Sequence, residues 1–226
     1  MIPNKNLFII TSSIKPNMGI YNDDDRFAQT IATLKSVRKI LPEAMIVFSD
    51  VSLRHVTDLE KEAISSFCNV YIDASLHPEI KALSENCMKS QAENYLMFLT
   101  LHTLKQNNLL KDVKRIFKFS ARSELEDTFD IKEYDNLFGK YVFKKAISTW
   151  NNNQFYPSHL FITRLFSFCT SLVDNYINVI HKNLQIIGQI DTEHSHWVNI
   201  PKEYLVEFDK IHCWGWLAGN GQIEHY

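Results

Sequence analysis

The sequence predicts an α/β fold built on a Rossmann-type parallel sheet, and two features of the chain support that prediction. Four short apolar runs each end at a small polar cluster, and a helix-like stretch follows each one. Strands buried on both faces of a parallel sheet are continuously apolar, and their carboxyl ends open into the crevice where α/β proteins bind ligands. The runs are residues 7–10 before Thr11-Ser12-Ser13, residues 45–48 before Ser49-Asp50, residues 70–72 before Asp73-Ala74-Ser75, and residues 116–119 before Ser120-Ala121-Arg122.

The first half of the chain alternates predicted strands and helices. Apolar side chains repeat at helical spacing after Asp23-Asp24-Asp25, so residues 23–41 predict a helix. A capping box, Thr57-Asp58-Leu59-Glu60, begins a short helix. Residues 84–106 predict the longest helix of the chain, and their largely apolar faces indicate that it is buried. The strand at residues 115–119 is then expected near the centre of the parallel sheet.

The second half has a different texture. Residues 141–148 and 159–166 are aromatic and β-prone, and the turn-rich residues 150–153 join them, which predicts a hairpin insertion. Residues 169–182 and 192–199 predict helices. The expected C-terminal half is therefore mixed, in contrast to the parallel N-terminal half.

Composition excludes several classes of protein. The chain has 226 residues, which fits a single domain over residues 1–226, and a formal net charge of −2, which argues against a nucleic-acid partner. Its four cysteines stand far apart without a CxxC pair, which argues against a zinc knuckle or a disulfide framework. Apolar stretches fall far short of the ~20 residues that span a bilayer. We expect a cytoplasmic protein with no transmembrane segment, whose oligomeric state the sequence leaves open.

The first candidate site is Thr11-Ser12-Ser13, at the end of the first predicted strand. Its hydroxyls and backbone groups suit a nucleotide base or ribose, although a plain strand-end turn explains the same residues. No G-x-G-x-x-G follows this strand, and no G-x-x-x-x-G-K-[ST] occurs in the chain. A dinucleotide-dependent dehydrogenase and a P-loop NTPase are therefore disfavoured.

The second candidate is the end of the fourth predicted strand. Side chains alternate along a strand, so Lys118, Ser120 and Arg122 are expected on one side. A Lys, a hydroxyl and an Arg at a carboxyl end suit phosphate oxygens, because Arg offers planar paired donors and Lys a compact charge. The alternative is that Glu124, Glu126 and Asp127 neutralise these cations in a surface network.

The third candidate is Asp191-Thr192-Glu193-His194-Ser195-His196. Glu193 or Asp191 could be the general base that deprotonates an acceptor hydroxyl. A helix N-cap by Asp191 or Thr192 with exposed histidines is the alternative. A metal site is a weaker interpretation, because there is no H-E-x-x-H arrangement.

The fourth candidate is the aromatic tail that contains Trp216 and Asn220. Glycines beside tryptophans suit a loop that folds over a flat ligand such as a sugar or a base. The alternative is a tryptophan pair that plugs the edge of the core.

These residues resemble a known group of enzymes. The segment from Lys118 to Asp130 is similar to the "K-I-S-G-R-Y-x-L-x-x-x-F" segment of GT-A-like nucleotide-diphospho-sugar glycosyltransferases from viral, phage and bacterial glycan clusters, with Ala121 where Gly is usual and Ser123 where an aromatic is usual. The resemblance covers most of the chain. Its other parts are Thr11-Ser12-Ser13, Arg26 with Gln29-Thr30, Lys89 and Glu93, the Glu193-His194 pair within residues 190–194, and the aromatic tail.

The resemblance implies a glycosyltransferase with a nucleotide-binding half, residues 1–122, and an acceptor-side half, residues 123–226. It implies a nucleotide-sugar donor, a glycan or small-molecule acceptor, and catalytic roles for Arg122 and Glu193. Typical members hold a divalent metal with an Asp-x-Asp motif after the fourth strand, where this chain has Ser120-Ala121-Arg122. We therefore expect donor binding without a metal or other cofactor. A catalytically inactive nucleotide- or carbohydrate-binding module on the same fold is the alternative, and an unrelated nucleotide-binding regulator is a third. The implied substrate-binding residues are Thr11, Ser12, Ser13, Arg26, Lys89, Lys118, Ser120, Arg122, His194, Trp216 and Asn220.

Overall fold

The computed structural model describes residues 6–17, 19–149, 156–217 and 221–226 as a three-layer α/β domain. The helices are α1 (Asp23–Ile40), α2 (Asp58–Ser65), α3 (Pro78–Glu85), α4 (Lys89–Gln106), α5 (Val173–Ile186) and α6 (Thr192–Asn199). The strands are β1 (Asn6–Ser12), β2 (Met45–Asp50), β3 (Val70–Asp73), β4 (Arg115–Ser120), β5 (Ser123–Leu125), β6 (Tyr141–Lys144), β7 (Ile147–Ser148), β8 (His159–Leu160), β9 (Leu165–Cys169), β10 (Leu205–Phe208), β11 (Cys213–Trp216) and β12 (Ile223–His225).

The main sheet has seven strands in the order β10-β6-β9-β4-β1-β2-β3. The four strands β3, β2, β1 and β4 are parallel, as predicted, and β4 lies at the centre. Strand β9 is antiparallel to both β4 and β6, whereas β10 runs parallel to β6. The predicted α/β class, with a parallel N-terminal half and a mixed C-terminal half, is therefore confirmed.

Two small sheets complete the C-terminal half. Strands β7 and β8 form an antiparallel pair, which is the predicted hairpin insertion; the link at residues 150–153 lies outside the described residues. Strands β5, β11 and β12 form a second antiparallel sheet. The sequence did not predict β11 and β12, because their glycine-rich, aromatic segment has no clean alternation. This sheet carries the residues that follow β4 and so positions the end of the central strand.

One helix differs from its prediction. The predicted helix over residues 84–106 begins later, at Lys89, because Cys87 takes a left-handed backbone conformation with φ +58°. Such a conformation cannot continue a right-handed helix. Residues 84–85 instead end α3, a helix that the sequence did not predict. The break starts α4 at Lys89, so the N-terminus of α4 faces the carboxyl edge of the sheet. The other helices agree with prediction within a few residues, and α1 begins after an Asn22 capping box.

Alternating side chains of the central strands build a core on each face of the sheet. Phe8 and Ile10 of β1 point to the layer that contains α1, and Leu7 and Ile9 to the layer that contains α4 and α5. Phe8 stacks on Phe117 with ring centroids 4.7 Å apart. All four cysteines carry free thiols. Within the described ranges, no helix combines the length and the apolar character that crossing a bilayer requires.

Candidate functional site

A cleft of about 160 Å³ opens at the carboxyl ends of β1 and β4, between the first turns of α1 and α4. Its position is the one where parallel sheets bind ligands. Seven of the implied substrate-binding residues line this one cleft. They are Thr11, Ser12, Ser13, Arg26, Lys89, Ser120 and Arg122.

Asp50 fixes the loop that follows β1. Its buried carboxylate accepts hydrogen bonds from the backbone N–H groups of Ile14 (3.1 Å) and Ser52 (3.0 Å). Burial raises the pKa of Asp50 to about 6. The loop that contains Ser13 is thereby held against β2, and the polar groups of Thr11-Ser12-Ser13 are left on the wall of the cleft.

Arg26 lies in the first turn of α1, and its guanidinium forms hydrogen bonds mainly with neighbouring protein groups. Its Nε and Nη2 donate to the Ser13 carbonyl oxygen (3.3 and 3.1 Å), and its Nη1 donates to Gln29 Oε1 (3.0 Å). Burial and the nearby charge of Arg122 lower its pKa to about 9. Arg26 therefore secures the loop after β1 and adds positive charge to the cleft.

Arg122 follows β4, and the small sheet holds its backbone. The Trp216 N–H donates to the Arg122 carbonyl oxygen (3.0 Å), and Gly215 lies so close that a Cβ there would stand 2.8 Å from the same oxygen. The side chain is half-buried, and its Nη1 is shielded from solvent without a hydrogen-bond partner in the described part of the chain. Burial and the charge of Arg164 lower its pKa to about 10.

Two of the three acidic residues that follow β4, Glu126 and Asp127, pair elsewhere. Asp127 forms an ion pair with Lys39 (2.6 Å), and Glu126 forms one with His225 (2.7 Å). Among residues 6–17, 19–149, 156–217 and 221–226, Arg122 takes part in no ion pair. The alternative in which a surface network of these acids neutralises Arg122 does not describe the structure.

Lys118 requires a correction. It does lie on the same side as Ser120, whose Oγ is 3.3 Å from its Nζ, but its side chain is only 2% exposed. Its ammonium forms an ion pair with Glu93 of α4 and donates to the Thr163 carbonyl oxygen (2.8 Å). Helix α4 covers this part of β4, so Lys118 is occupied internally and does not line the cleft.

Glu93 contributes the single carboxylate among the described residues that line the cleft. Burial alone would raise its pKa, but the charge and hydrogen bond of Lys118 outweigh burial and lower the pKa below its ordinary value. Glu93 therefore stays ionised, and the Lys118 ammonium holds its carboxylate in place.

Glu193 and His194 do not join this cleft. Both belong to the first turn of α6, where Asp191 is the N-cap: its carboxylate accepts from the His194 N–H (2.8 Å) and contacts the His194 ring Nδ1 (2.8 Å). Glu193 accepts from Thr163 Oγ1 (3.2 Å), and burial and the charge of Glu93 raise its pKa. The N-cap interpretation of Asp191 is confirmed, but His194 is buried rather than exposed.

The described residues of the aromatic tail, 213–217 and 221–226, do not line the cleft. Trp216 is half-buried and packs edge-on against Trp214, with ring centroids 4.6 Å apart, so the tryptophan pair belongs to the small sheet. Its contribution to the site is the backbone bond to Arg122. Asn220 lies outside the described residues.

Two residues at this edge were missed in the sequence. Tyr21 lines the cleft, and its hydroxyl is buried without a hydrogen-bond partner among the described residues. Arg164 precedes β9, and its carbonyl oxygen accepts from the Ser120 N–H (2.9 Å). The register of β9 against β4 brings Arg164 next to Ser120. Arg164 could have been identified from the sequence if residues 159–166 had been paired antiparallel with the central strand.

The residues at the end of β4 do not fit a divalent metal. Magnesium and manganese take oxygen ligands, mostly carboxylates. The segment carries Ser120, Ala121 and the cation Arg122 where an Asp-x-Asp motif would stand, and Glu93 is neutralised by Lys118. The described residues contain no group of three or more His, Cys, Asp or Glu side chains arranged to hold an ion.

Comparison with solved structures relates this architecture to glycosyltransferases. The chain is similar to core-mannan synthase A from Aspergillus fumigatus in a Mn/GDP form, with a TM-score of 0.53 and 10% identity over 92% of this chain and 76% of that chain. It also matches the mannosyltransferase Ktr4p from S. cerevisiae in complex with GDP (TM-score 0.48, 11% identity, 86% of this chain and 66% of that chain). A third match is a glycosyltransferase involved in glycosylation of the major capsid of PBCV-1 (TM-score 0.47, 10% identity, 90% and 81%).

At such low identity the first of these matches shows the fold alone. The chain has a GT-A-like α/β fold. No protein-family model matches the sequence, and no curated protein is significantly similar to it.

Proposed function

We propose that this protein is a glycosyltransferase that moves a sugar from a nucleoside-diphosphate donor to a glycan or small-molecule acceptor without a divalent metal. The observation that carries the proposal is the Arg122 guanidinium, whose buried Nη1 has no partner among the described residues at the cleft edge of the central strand. A buried donor without an acceptor costs free energy unless a ligand supplies that acceptor. The GT-A-like fold supports a sugar nucleotide as that ligand.

In the proposed reaction, the acceptor oxygen forms a bond to the anomeric carbon of the donor sugar. The bond from that carbon to the diphosphate oxygen breaks, the acceptor hydroxyl proton passes to a base, and the nucleoside diphosphate leaves with one more negative charge. A guanidinium placed where this charge develops stabilises the transition state more than the ground state. Arg122 has that role in our proposal.

The remaining cleft residues bind the donor in this proposal. Thr11-Ser12-Ser13 offers hydroxyl and backbone groups to the nucleoside, and Arg26 and Lys89 add positive charge near the diphosphate. Residues 1–122 thus form the donor half, and residues 123–226 the acceptor-side half. Lys118 contributes indirectly, because it orients Glu93 toward the cleft.

Two carboxylates compete for the role of general base. Glu193, assigned from the sequence, has a raised pKa, which suits a base, but it stands behind Thr163 and outside the cleft lining. Glu93 lines the cleft, but its pKa is lowered, which suits an acceptor of sugar hydroxyl hydrogen bonds. We propose Glu193 as the base for an acceptor bound on the α6 side and Glu93 as a sugar-orienting residue.

Four free thiols favour a reducing compartment such as the cytoplasm for this protein.

The test is to incubate the protein with GDP- and UDP-sugars in EDTA and to measure release of the nucleoside diphosphate. GDP-sugars come first, because the similar core-mannan synthase A structure is a GDP form. We expect slow donor hydrolysis that falls in Arg122→Ala. Glu193→Gln is expected to lose turnover with donor affinity unchanged, and Glu93→Gln to weaken donor binding. Binding without turnover of any donor would support the inactive binding module instead.

A further inference from the structure

Arg164 is the second arginine at the carboxyl end of β4. Arg164 does not itself line the cleft, but its backbone carbonyl accepts the Ser120 N–H at 2.9 Å, which ties it to a residue of the cleft wall. Its guanidinium contacts the Tyr226 hydroxyl, while its Nη1 is buried without a hydrogen-bond partner among the described residues. Like Arg122, it forms no ion pair within the described part of the chain. Glu93, whose carboxylate interacts electrostatically with Arg164, is already bound by Lys118.

The charges of the two arginines interact. The Arg164 charge is the main charge that lowers the pKa of Arg122 after burial, and it also lowers the pKa of Arg26. Like charges held together in a half-buried place destabilise the ligand-free protein, and such an arrangement is stabilised by a bound anion. Both guanidinium groups therefore indicate an anionic ligand.

Tyr21 supplies a third donor without an acceptor. Its hydroxyl is buried at the cleft and has no partner among the described residues. The backbone of Gly221 lies against it: a Cβ there would stand 3.4 Å from the Tyr21 oxygen. Tyr21 interacts electrostatically with both Arg122 and Arg26. Three unsatisfied donors thus belong to the same edge of the sheet.

We infer that Arg164 and Tyr21 complete a two-arginine cradle in which Arg122 binds one phosphoryl group of the donor and Arg164 binds the other. This inference rests on the proposed function and deepens it, because it assigns the site to diphosphate rather than monophosphate ligands. The donor diphosphate carries one negative charge on each phosphoryl group, and two guanidinium groups match that charge. The Tyr21 hydroxyl donates to an oxygen of the same diphosphate.

The experiment compares nucleoside diphosphates with the matching monophosphates by calorimetry in EDTA, using GDP with GMP and UDP with UMP. We expect the wild-type protein to bind the diphosphate about tenfold or more tightly than the monophosphate, since a charge-assisted hydrogen bond contributes roughly one to two factors of ten. In Arg164→Gln the preference should fall to about 1–3-fold, the remainder being what Arg122 alone can supply. Tyr21→Phe should weaken diphosphate binding by about threefold to tenfold.

A merely structural role for Arg164 predicts different results. A structural role would lower the ligand-free melting temperature of Arg164→Gln. Under the inference that melting temperature should equal or exceed the wild-type value, because one of two repelling charges is gone. Lys145→Gln is the charge-matched control, since Lys145 is exposed beside Asp209. Should Arg164→Gln fail to fold, Arg164→Lys keeps the charge without the planar fork and should retain only part of the preference.

Three outcomes overturn the inference, and they differ in what they leave standing. An unchanged diphosphate preference in Arg164→Gln, together with a loss in Arg122→Ala, removes Arg164 from the site and leaves the proposed function intact. Equal loss of GDP and GMP binding in Arg164→Gln assigns Arg164 a structural role. Absence of any diphosphate preference in the wild type contradicts both the inference and the proposed donor class.

Discussion

Arg122→Ala is the perturbation whose effect can be worked out most fully. The substitution removes the half-buried guanidinium whose Nη1 lacks a partner among the described residues. A hydrogen bond that involves a charged group contributes about 1.5–3 kcal/mol, and partial exposure of the side chain favours the lower part of that range, about 2 kcal/mol. Since about 1.4 kcal/mol corresponds to a factor of ten, the Kd of a nucleoside diphosphate should rise about 30-fold.

The assay is calorimetric titration of GDP and UDP against guanosine and uridine. Because the nucleosides carry no phosphate, their affinity should change less than about twofold in Arg122→Ala. Lys39→Ala is the matched control, because it removes an exposed positive charge that pairs with Asp127 away from the cleft. Equal losses for nucleosides and diphosphates would refute the reasoning, since Arg122 would then support the shape of the cleft rather than bind phosphate.

Three further outcomes test how the site and the core beside it are built. In Gly215→Ala the new Cβ would meet the Arg122 carbonyl oxygen at 2.8 Å, so diphosphate affinity should fall together with about 1–3 kcal/mol of stability, measured by calorimetry and denaturant unfolding. Lys118→Met leaves Glu93 unpaired and should lower the free energy of unfolding by about 3 kcal/mol, measured by denaturant unfolding. If stability were unchanged while affinity for the diphosphate were lost, Lys118 would instead be a phosphate ligand. Burial lowers the pKa of His196 to about 4. NMR should therefore find its ring neutral at pH 5, and the free energy of unfolding should fall as pH drops from the ordinary histidine pKa of about 6.5 towards 4. Titration of His196 near pH 6.5 would contradict its burial.

The sequence predicts the parallel half of the fold well, for a physical reason. Strands β1, β2 and β4 are almost entirely buried, and their sequences are continuous apolar runs with polar ends, which few other structures produce. The small sheet of β5, β11 and β12 escaped prediction, because Gly215 lies between tryptophans and removes the alternation of an ordinary strand. The break between α3 and α4 was missed because Cys87, a residue without a turn preference, takes the left-handed conformation.

The position of some candidate site residues could also be predicted from local sequence pattern, and that of others could not. Residues at strand ends and helix starts, such as Ser12, Arg26 and Arg122, could be placed because the carboxyl edge of a parallel sheet is shared. The burial of Lys118 could not be predicted, because strand alternation predicts which face of the sheet Lys118 lies on but not its ion pair with Glu93 of α4. Arg164 depends on the register of an antiparallel pair formed over a long sequence separation, which local pattern does not carry.

Dependence of diphosphate binding on a divalent cation is the most direct test of the account. GDP and UDP would be titrated into the protein in EDTA and again with excess Mn²⁺. If the guanidinium groups beside β4 bind the diphosphate, Kd should agree within about twofold in the two buffers, because each arginine supplies its own charge and donors. Binding that vanishes in EDTA and returns with Mn²⁺ would contradict the account.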